Sequence, residues 1–135
     1  MLFRSVAAFL REREIHSVCA DSEAIRLLPG LALSPRPDAG SQAGITFCPL
    51  GYAPAGSVLV SGADQAALTA SLLPEIHIAL LRVADLTDDL TPLLRLGAEA
   101  SASVIVSGPS RTADIEMTLT IGVHGPKESV VFLLI

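Results

Sequence analysis

The chain has 135 residues, of which half are apolar and 4% aromatic, and its formal net charge is −5. This length is typical of one domain that buries its own core without disulfides or a structural metal. The nine basic residues are scattered, which argues against sequence-independent binding to nucleic acid, because such binding needs clustered cations. A core of aliphatic side chains with few rings favours helices packed on a parallel sheet over a β-sandwich.

Helical patterns alternate with short apolar runs in the first half of the chain. In order, the predicted elements are a helix over residues 2–13, a strand over Glu14–Ala20, a helix that stops at Pro29-Gly30, a loop over Ser34–Gly44, and strands over Ile45–Phe47 and Ser57–Ser61. Ile15 and Val18 are the best core candidates of the first strand. Asp21 or Ser22 is the expected N-cap of the second helix.

The second half continues the alternation. Its predicted elements are a helix over Ala63–Leu73 between Asp64 and Pro74, a strand over Ile76–Val83 covered on both faces, a helix that ends at Leu96-Gly97, and strands over Ala102–Ser107 and Ser129–Ile135. The third of these helices has two possible starts, one at Thr87 with Asp88 and Asp89, the other at Thr91 as cap of Pro92. Strands that alternate with helices predict an α/β fold with a mainly parallel sheet.

The cysteines and the chain's apolar stretches indicate a cytoplasmic protein without a membrane segment. Cys19 and Cys48 lie far apart and form no CxxC motif, so this chain alone assembles neither an iron–sulfur cluster nor a zinc site, and no cofactor or metal is expected. Both are predicted to be buried, reduced thiols. The N-terminus shows helical spacing rather than a secretory signal, and residues 39–63 contain too many glycines and prolines for a membrane helix.

A polar segment separates the last two predicted strands and is the strongest candidate for a site. Gly108 permits close backbone approach, and Ser110 or Thr112 could cap a helix whose free N–H groups would bind a carboxylate or phosphate. Arg111 would add a bidentate donor. These residues together predict an anion site that starts at Ser107.

The same segment has a structural interpretation. Asp114 and Glu116 lie near the same helix start, where they could satisfy its dipole and repel an anion. Arg111 would then pair with Asp114 in a capped turn. The conformation of Ala113–Ile121 is also ambiguous, because its alternation of apolar and polar residues predicts a strand, whereas a parallel connection between its flanking strands favours a short helix. We predict the helix.

His124 lies between Gly122 and Gly125-Pro126. A histidine in this position could act as general acid or base, orient a bound carboxylate, or only hydrogen-bond a neighbouring loop. His16 and His77 lie within predicted strands and are expected to be structural. The sequence contains no GxSxG, GxGxxG or P-loop motif, so it predicts neither a serine nucleophile elbow nor a standard nucleotide site.

Three blocks of sequence, Gly56–Val60, Ser71–Ala79 and Ser107–Pro126, closely resemble the lactate utilisation protein C family (LutC/YkgG), whose fold unit is called the LUD domain. The resemblance covers roughly the last ninety residues well and the first forty loosely. It implies a single domain over residues 1–135 with the three-layer α/β fold of the NagB/RpiA/CoA-transferase group, with helices on both faces of the sheet. It also implies a role in oxidising L-lactate to pyruvate beside two partner proteins, one with iron–sulfur motifs.

Two departures from the family pattern affect these expectations. Family members usually carry an acidic residue before a Thr-Gly-Thr turn, whereas this chain has Pro54 in the matching stretch, which puts in doubt any role that needs the carboxylate. The N-terminal part is also shorter than usual, which predicts either an exposed sheet edge or a pocket without one wall. A symmetric homodimer would cover such an edge.

Three functions therefore remain open. The first is a non-redox component of L-lactate utilisation that binds a small carboxylate or a partner protein, with Gly56, Ser57 and Gly125 joining the segment from Ser107 to Asp114. The second is an enzyme for a small anionic or CoA-linked substrate, with His124, Arg111 and Glu116 as working groups. The third is an interaction module without a site. For the first two, we expect the loops to converge beyond the carboxyl ends of the strands.

Overall fold

The computed structural model describes residues 2–38, 40–62, 65–108 and 125–135. The helices in these ranges are α1 (Leu2–Glu12), α2 (Ser22–Leu27), α3 (Gln65–Leu72) and α4 (Thr91–Glu99). The strands are β1 (Val18–Ala20), β2 (Leu33–Ser34), β3 (Ala43–Phe47), β4 (Gly51–Tyr52), β5 (Ser57–Ser61), β6 (Ile76–Arg82), β7 (Leu86–Thr87), β8 (Ser103–Val106) and β9 (Glu128–Leu134).

The main sheet has five parallel strands in the order β2-β1-β3-β6-β9. Helices α1 and α2 cover one face, where Val6 and Leu28 join the core cluster of Ile45 and Ile78. Helix α3 packs on the other face. This arrangement confirms the predicted α/β fold, and the buried run from His77 to Leu81 confirms that β6 is covered on both faces.

A second, smaller sheet lies against the α3 side of the main sheet, in the order β7-β4-β5-β8. Strand β5 is antiparallel to both β4 and β8. Val58 and Val60 of β5 pack with Ala79 and Leu81 of the main sheet. Strands β5 and β8, expected in the parallel sheet, instead pair with each other antiparallel in a second, mixed sheet. The expectation was wrong because an apolar run predicts a strand but not its partners.

This second sheet removes one reason for predicting a helix over Ala113–Ile121. The expected crossover joined two neighbouring parallel strands, but β8 and β9 belong to different sheets. The segment itself lies outside the described residues. The apolar runs Ala102–Ser107 and Ser129–Ile135 each predict a buried strand; both are strands, but β8 is only partly buried and β9 is not buried. Strand β9 is an edge strand of the described sheet, with Val131 41% and Leu133 51% exposed.

Several element ends differ from their predicted positions. Helix α4 begins at Thr91, so the later of the two predicted starts lies close to the observed one. The Thr91 backbone N–H donates to the Asp89 carboxylate at 2.9 Å. Thr91 is not the cap, because Leu90 takes that position. The helix also continues through Gly97 to Glu99. Strand β1 is shorter than predicted, and the two-residue strands β2, β4 and β7 were missed because such short pairs carry no periodicity.

Asp21, which follows β1, connects that strand with helix α2 and strand β3. It caps α2 by accepting the Ala24 N–H at 2.8 Å, which confirms one of the two predicted caps. Its other carboxylate oxygen accepts the Phe47 N–H at 2.9 Å.

Cys19 and Cys48 are free and buried, as predicted. Within the described ranges, no helix is long and apolar enough to cross a membrane.

Helix α1 is followed by Glu14, two residues beyond its last residue Glu12, and Glu14 has a left-handed backbone with φ of 54°. The Ile15 N–H donates to the Leu10 carbonyl and the Glu14 N–H to the Arg11 carbonyl, the bonds of a Schellman motif. Glycine is favoured at this position, since a side chain there costs roughly 1 kcal/mol. We expect Glu14→Gly to raise the free energy of unfolding by about 0.5 kcal/mol after the extra freedom of the unfolded chain is subtracted. Urea unfolding followed by circular dichroism would measure it, and a loss of stability would contradict this assignment.

Candidate functional site

Two turns that the sequence assigned to one site meet at the end of the second sheet. Val58 of β5 pairs with Val106 of β8, so the next residues in register are Ser57 and Ser107. Their hydroxyl oxygens are 2.6 Å apart, which is a hydrogen bond between side chains fifty residues apart in the chain. The antiparallel pairing of β5 with β8 therefore brings the Gly56-Ser57 turn to the first residue of the polar segment.

Glycines shape the backbone at these turns. Gly56 ends a 3₁₀ turn over Ala53–Ala55 with φ of 64°, and Gly108 follows Ser107 with φ of 111°. A Cβ added at either glycine would meet no atom of the described residues within 4 Å, so the backbone conformation, and not a lack of space among those residues, favours glycine here. Pro54 lies in the first turn, where it occupies the position that the family resemblance assigns to a carboxylate.

A cleft of about 90 Å³ opens between the two sheets beside these turns. Its lining comes from both sheets and from the two turns: Gly56, Val58, His77, Ala79, Val106, Ser107, Gly108 and Ser129–Val131. His77 and Ser129 lie near the amino ends of β6 and β9. We expected a site beyond the carboxyl ends of the parallel strands. The second sheet, by covering one face of the main sheet, creates a different concave surface.

An apolar cavity of about 250 Å³ lies beside the cleft. The two share Gly56, Val58 and Val131, and the apolar cavity extends along β6 and β9 to Leu81 and Leu133. A space of this kind suits a small ligand with one polar end, because ligand pockets combine apolar walls with a few polar groups.

His77 is the buried polar residue of the cleft. Its side chain is 1% exposed, and its Nε2 lies 2.8 Å from the Thr46 hydroxyl, which in turn lies 3.5 Å from the Cys48 sulfur. Burial lowers the pKa of His77 to about 4, so the imidazole is neutral at pH 7. Burial also raises the pKa of the Cys48 thiol to about 12. The three side chains therefore form a neutral hydrogen-bonded row.

Ser129 lies next to His77 across the β6–β9 pair. Its hydroxyl oxygen is buried and has no hydrogen-bond partner in the part of the chain that the structure describes. An unsatisfied buried hydroxyl costs about 1–3 kcal/mol, so native proteins rarely leave one without a reason. Sequence reasoning missed this pair. The available signal was a single histidine within the otherwise apolar strand Ile76–Leu81.

The other residues of the predicted site divide into two groups. Gly125 is described, with φ of 136°, and two residues later the Lys127 N–H donates to the Glu75 carbonyl at 2.7 Å. The rest of the predicted site lies outside the described residues: Ser110, Arg111, Thr112, Asp114, Glu116 and His124. The structure therefore brings together Gly56, Ser57, Ser107 and Gly108.

Comparison with known proteins identifies the family of this chain. The family model of the LUD domain matches residues 38–134, which is well over half of the chain. The chain belongs to the LUD-domain family. The matched region of this LUD domain begins before β3 and includes every described residue of the cleft.

Relatives of this LUD domain include proteins named for lactate utilisation. Lactate utilization protein C of Bacillus velezensis is 33% identical over 99 residues, which are 67% of this chain and 41% of that protein. Lactate utilization protein C 1 of Bacillus mycoides is 40% identical over 91 residues, 62% of this chain and 39% of that protein. YkgG of Escherichia coli is 32% identical over 102 residues, 70% of this chain and 44% of that protein. The chain thus spans about two fifths of the length of these relatives.

A solved structure supports the fold. A DUF162 family protein from Deinococcus radiodurans superposes with a TM-score of 0.63 at 20% identity, and the match covers 98% of this chain and 81% of that one. At this identity the likeness concerns architecture alone. It agrees with the three-layer α/β arrangement around a mainly parallel sheet.

Proposed function

We propose that this LUD domain is a non-redox component of L-lactate utilisation and that it binds a small carboxylate. The observation that carries the proposal is the sequence identity of 31–40% to several proteins named lactate utilization protein C. The inter-sheet cleft supports the proposal independently of the family, because a small carboxylate needs a concave surface with polar groups and the cleft provides one.

The carboxylate is proposed to bind where Ser57 and Ser107 meet. Of this pair, Ser107 lines the cleft together with Gly108, so the Ser107 hydroxyl and the backbone at Gly108 are the proposed hydrogen-bond donors, and Ser57 holds the Ser107 hydroxyl in place. The neighbouring polar segment contributes further ligand contacts in this proposal, namely from Ser110, Arg111, Thr112, Asp114 and Gly125. Arg111 supplies the positive charge, since no described residue that lines the cleft is charged. His124 and Glu116 are proposed as groups that hold or move a proton at the bound molecule.

The proposal extends to partners. Oxidation of L-lactate requires a redox protein, and the resemblance to lactate utilisation proteins implies partner proteins, one of them with iron–sulfur motifs. The exposed apolar residues of β9, Val131 and Leu133, are a candidate surface for such a partner or for a second copy of this chain.

Calorimetric titration would test ligand binding directly. The unmodified chain should bind L-lactate and pyruvate, and Arg111→Ala should weaken both about tenfold or more, since a hydrogen bond to a charged group contributes about 1.5–3 kcal/mol. The melting temperature of the variant should remain unchanged, because in this proposal Arg111 contacts the ligand and does not serve as a structural partner of Asp114. Arg36→Ala is the matched control, since Arg36 is exposed and lies outside the cleft lining.

Two results would contradict this proposal. If the unmodified chain binds neither acid, the carboxylate site does not exist and the interaction module remains. If Arg111→Ala leaves binding untouched while Asp114→Ala lowers stability by about 1 kcal/mol, the segment is a structural turn. A physiological test is deletion of the gene in its own host, which should slow growth on L-lactate and not on pyruvate.

A further inference from the structure

Near the amino ends of β6 and β9 the cleft is lined by His77 and Ser129, two residues that the carboxylate site does not use. They are neighbours across β6 and β9, and both line the cleft that also contains Ser107 and Gly108. This end therefore offers a second set of polar groups to a molecule whose carboxylate binds at the rim.

From this geometry we infer that His77 and Ser129 bind the oxygen on the carbon next to the carboxylate of a 2-hydroxy or 2-keto acid, here called the α-oxygen. The inference rests on the proposed function and adds the two residues that would distinguish L-lactate and pyruvate from other small carboxylates. The first support is the Ser129 hydroxyl, which is buried and without a partner in the described ranges. A ligand oxygen would satisfy it.

The second support is the hydrogen bonding of His77. Its Nε2 already has a partner in the Thr46 hydroxyl, so Nδ1 is the ring nitrogen that remains for a ligand. Thr46 also contacts the Cys48 sulfur, and either atom of each contact can be the donor. If Cys48 donates to Thr46 and Thr46 to Nε2, then Nδ1 carries the hydrogen. If the order is reversed, Nδ1 is an acceptor.

The two possible positions of the hydrogen on the His77 ring match the two ligands of the proposed function, L-lactate and pyruvate. A hydroxyl group can donate to an unprotonated Nδ1, and a keto oxygen can accept from a protonated one. The row from Cys48 through Thr46 to His77 accommodates both cases without a charge, because burial keeps the imidazole and the thiol neutral at pH 7. L-lactate and pyruvate could thus bind in one pose.

The size and polarity of the cleft agree with this assignment. Its volume of about 90 Å³ exceeds the roughly 10–15 Å³ that one water molecule needs, so it admits a molecule of a few heavy atoms. The apolar wall of Val58, Ala79 and Val131 would contact the methyl group of a three-carbon acid. The described lining contains no charged side chain, so this end suits a neutral oxygen and not a second carboxylate.

Calorimetric titration with L-lactate, pyruvate and propionate is the test, because propionate has the carboxylate and lacks the α-oxygen. We expect propionate to bind about tenfold more weakly than the other two. Ser129→Ala should weaken lactate and pyruvate about fivefold and leave propionate unchanged. Ser101→Ala, which alters an exposed serine outside the cleft lining, is the control and should change nothing.

His77→Phe should have the same selective effect, and a nuclear magnetic resonance titration of the unmodified protein avoids the question of whether this variant folds. Lactate should shift the ring signals of His77, and propionate should not. Equal binding of all three acids, with no effect of Ser129→Ala, would overturn the inference and leave the carboxylate site standing. Failure of all three acids to bind would instead overturn the proposed function together with it.

Discussion

Gly44→Ala should destabilise the protein by about 3 kcal/mol, at the upper end of what an added methyl group costs in a packed interior. Gly44 lies in β3 beneath helix α3, and a Cβ there would lie 1.9 Å from the carbonyl oxygen of Ala70. That atom belongs to the backbone, so no side-chain rotation relieves the overlap. The helix must move away from the sheet, which would expose the buried Ala67 and Ala70.

Urea unfolding monitored by circular dichroism would measure this loss, and the melting temperature should fall by roughly 10 °C. Gly40→Ala is the matched control, because its Cβ would meet only a side-chain oxygen of Asp38 at 3.3 Å. We expect the control to change stability by less than about 0.5 kcal/mol. Equal stability of the two variants would show that α3 does not approach β3 as closely as the structure indicates.

Lowering the pH from 7 to 5 should destabilise the protein by about 2 kcal/mol through His77. Burial lowers its pKa from 6.5 in the unfolded chain to about 4 in the folded one. Between these values the unfolded chain binds the proton and the folded chain does not, so stability is complete above pH 6.5 and decreases as the pH falls towards 4.

Equilibrium unfolding at several pH values, for the unmodified chain and for His77→Asn, would isolate this contribution. The variant should lose stability overall and show a much smaller dependence on pH in this window. Cys48, the titratable group in the row with His77, stays protonated because burial raises the pKa of its thiol to about 12. Ion pairing lowers the pKa of Glu128 and of Glu23, which places their titration below 4.5. Parallel pH profiles for both proteins would contradict the assignment to His77.

The local patterns of the sequence predicted four of the five described strands of the main sheet and missed the two-residue strand β2. The apolar run over β6 and the capping Asp21 follow from neighbouring residues, and both were predicted because periodicity and capping act over a few positions. The same holds for the buried, reduced cysteines, which followed from their spacing. The family resemblance was also readable, since motif residues are local in sequence.

The candidate site was only partly predictable, because its contacts join residues that are far apart in the chain. Ser57 and Ser107 were singled out by their turns, but their hydrogen bond depends on the pairing of β5 with β8. His77 was interpreted as structural, because a histidine in an apolar strand gives no indication of what faces it. Its place in a cleft results from the second sheet, which periodicity did not separate from the first.

The sequence by itself determined the α/β class, the family, and the positions of most helices and strands, because these depend on residue spacing within one element. Tertiary structure alone decided which strands pair, and therefore which polar groups share a cavity. His77 and Ser129 are fifty-two positions apart in the chain, yet the register of β6 with β9 makes them neighbours. Contacts of this range follow from strand pairing and from the packing of the two sheets, and neither leaves a periodic signature in the residues concerned.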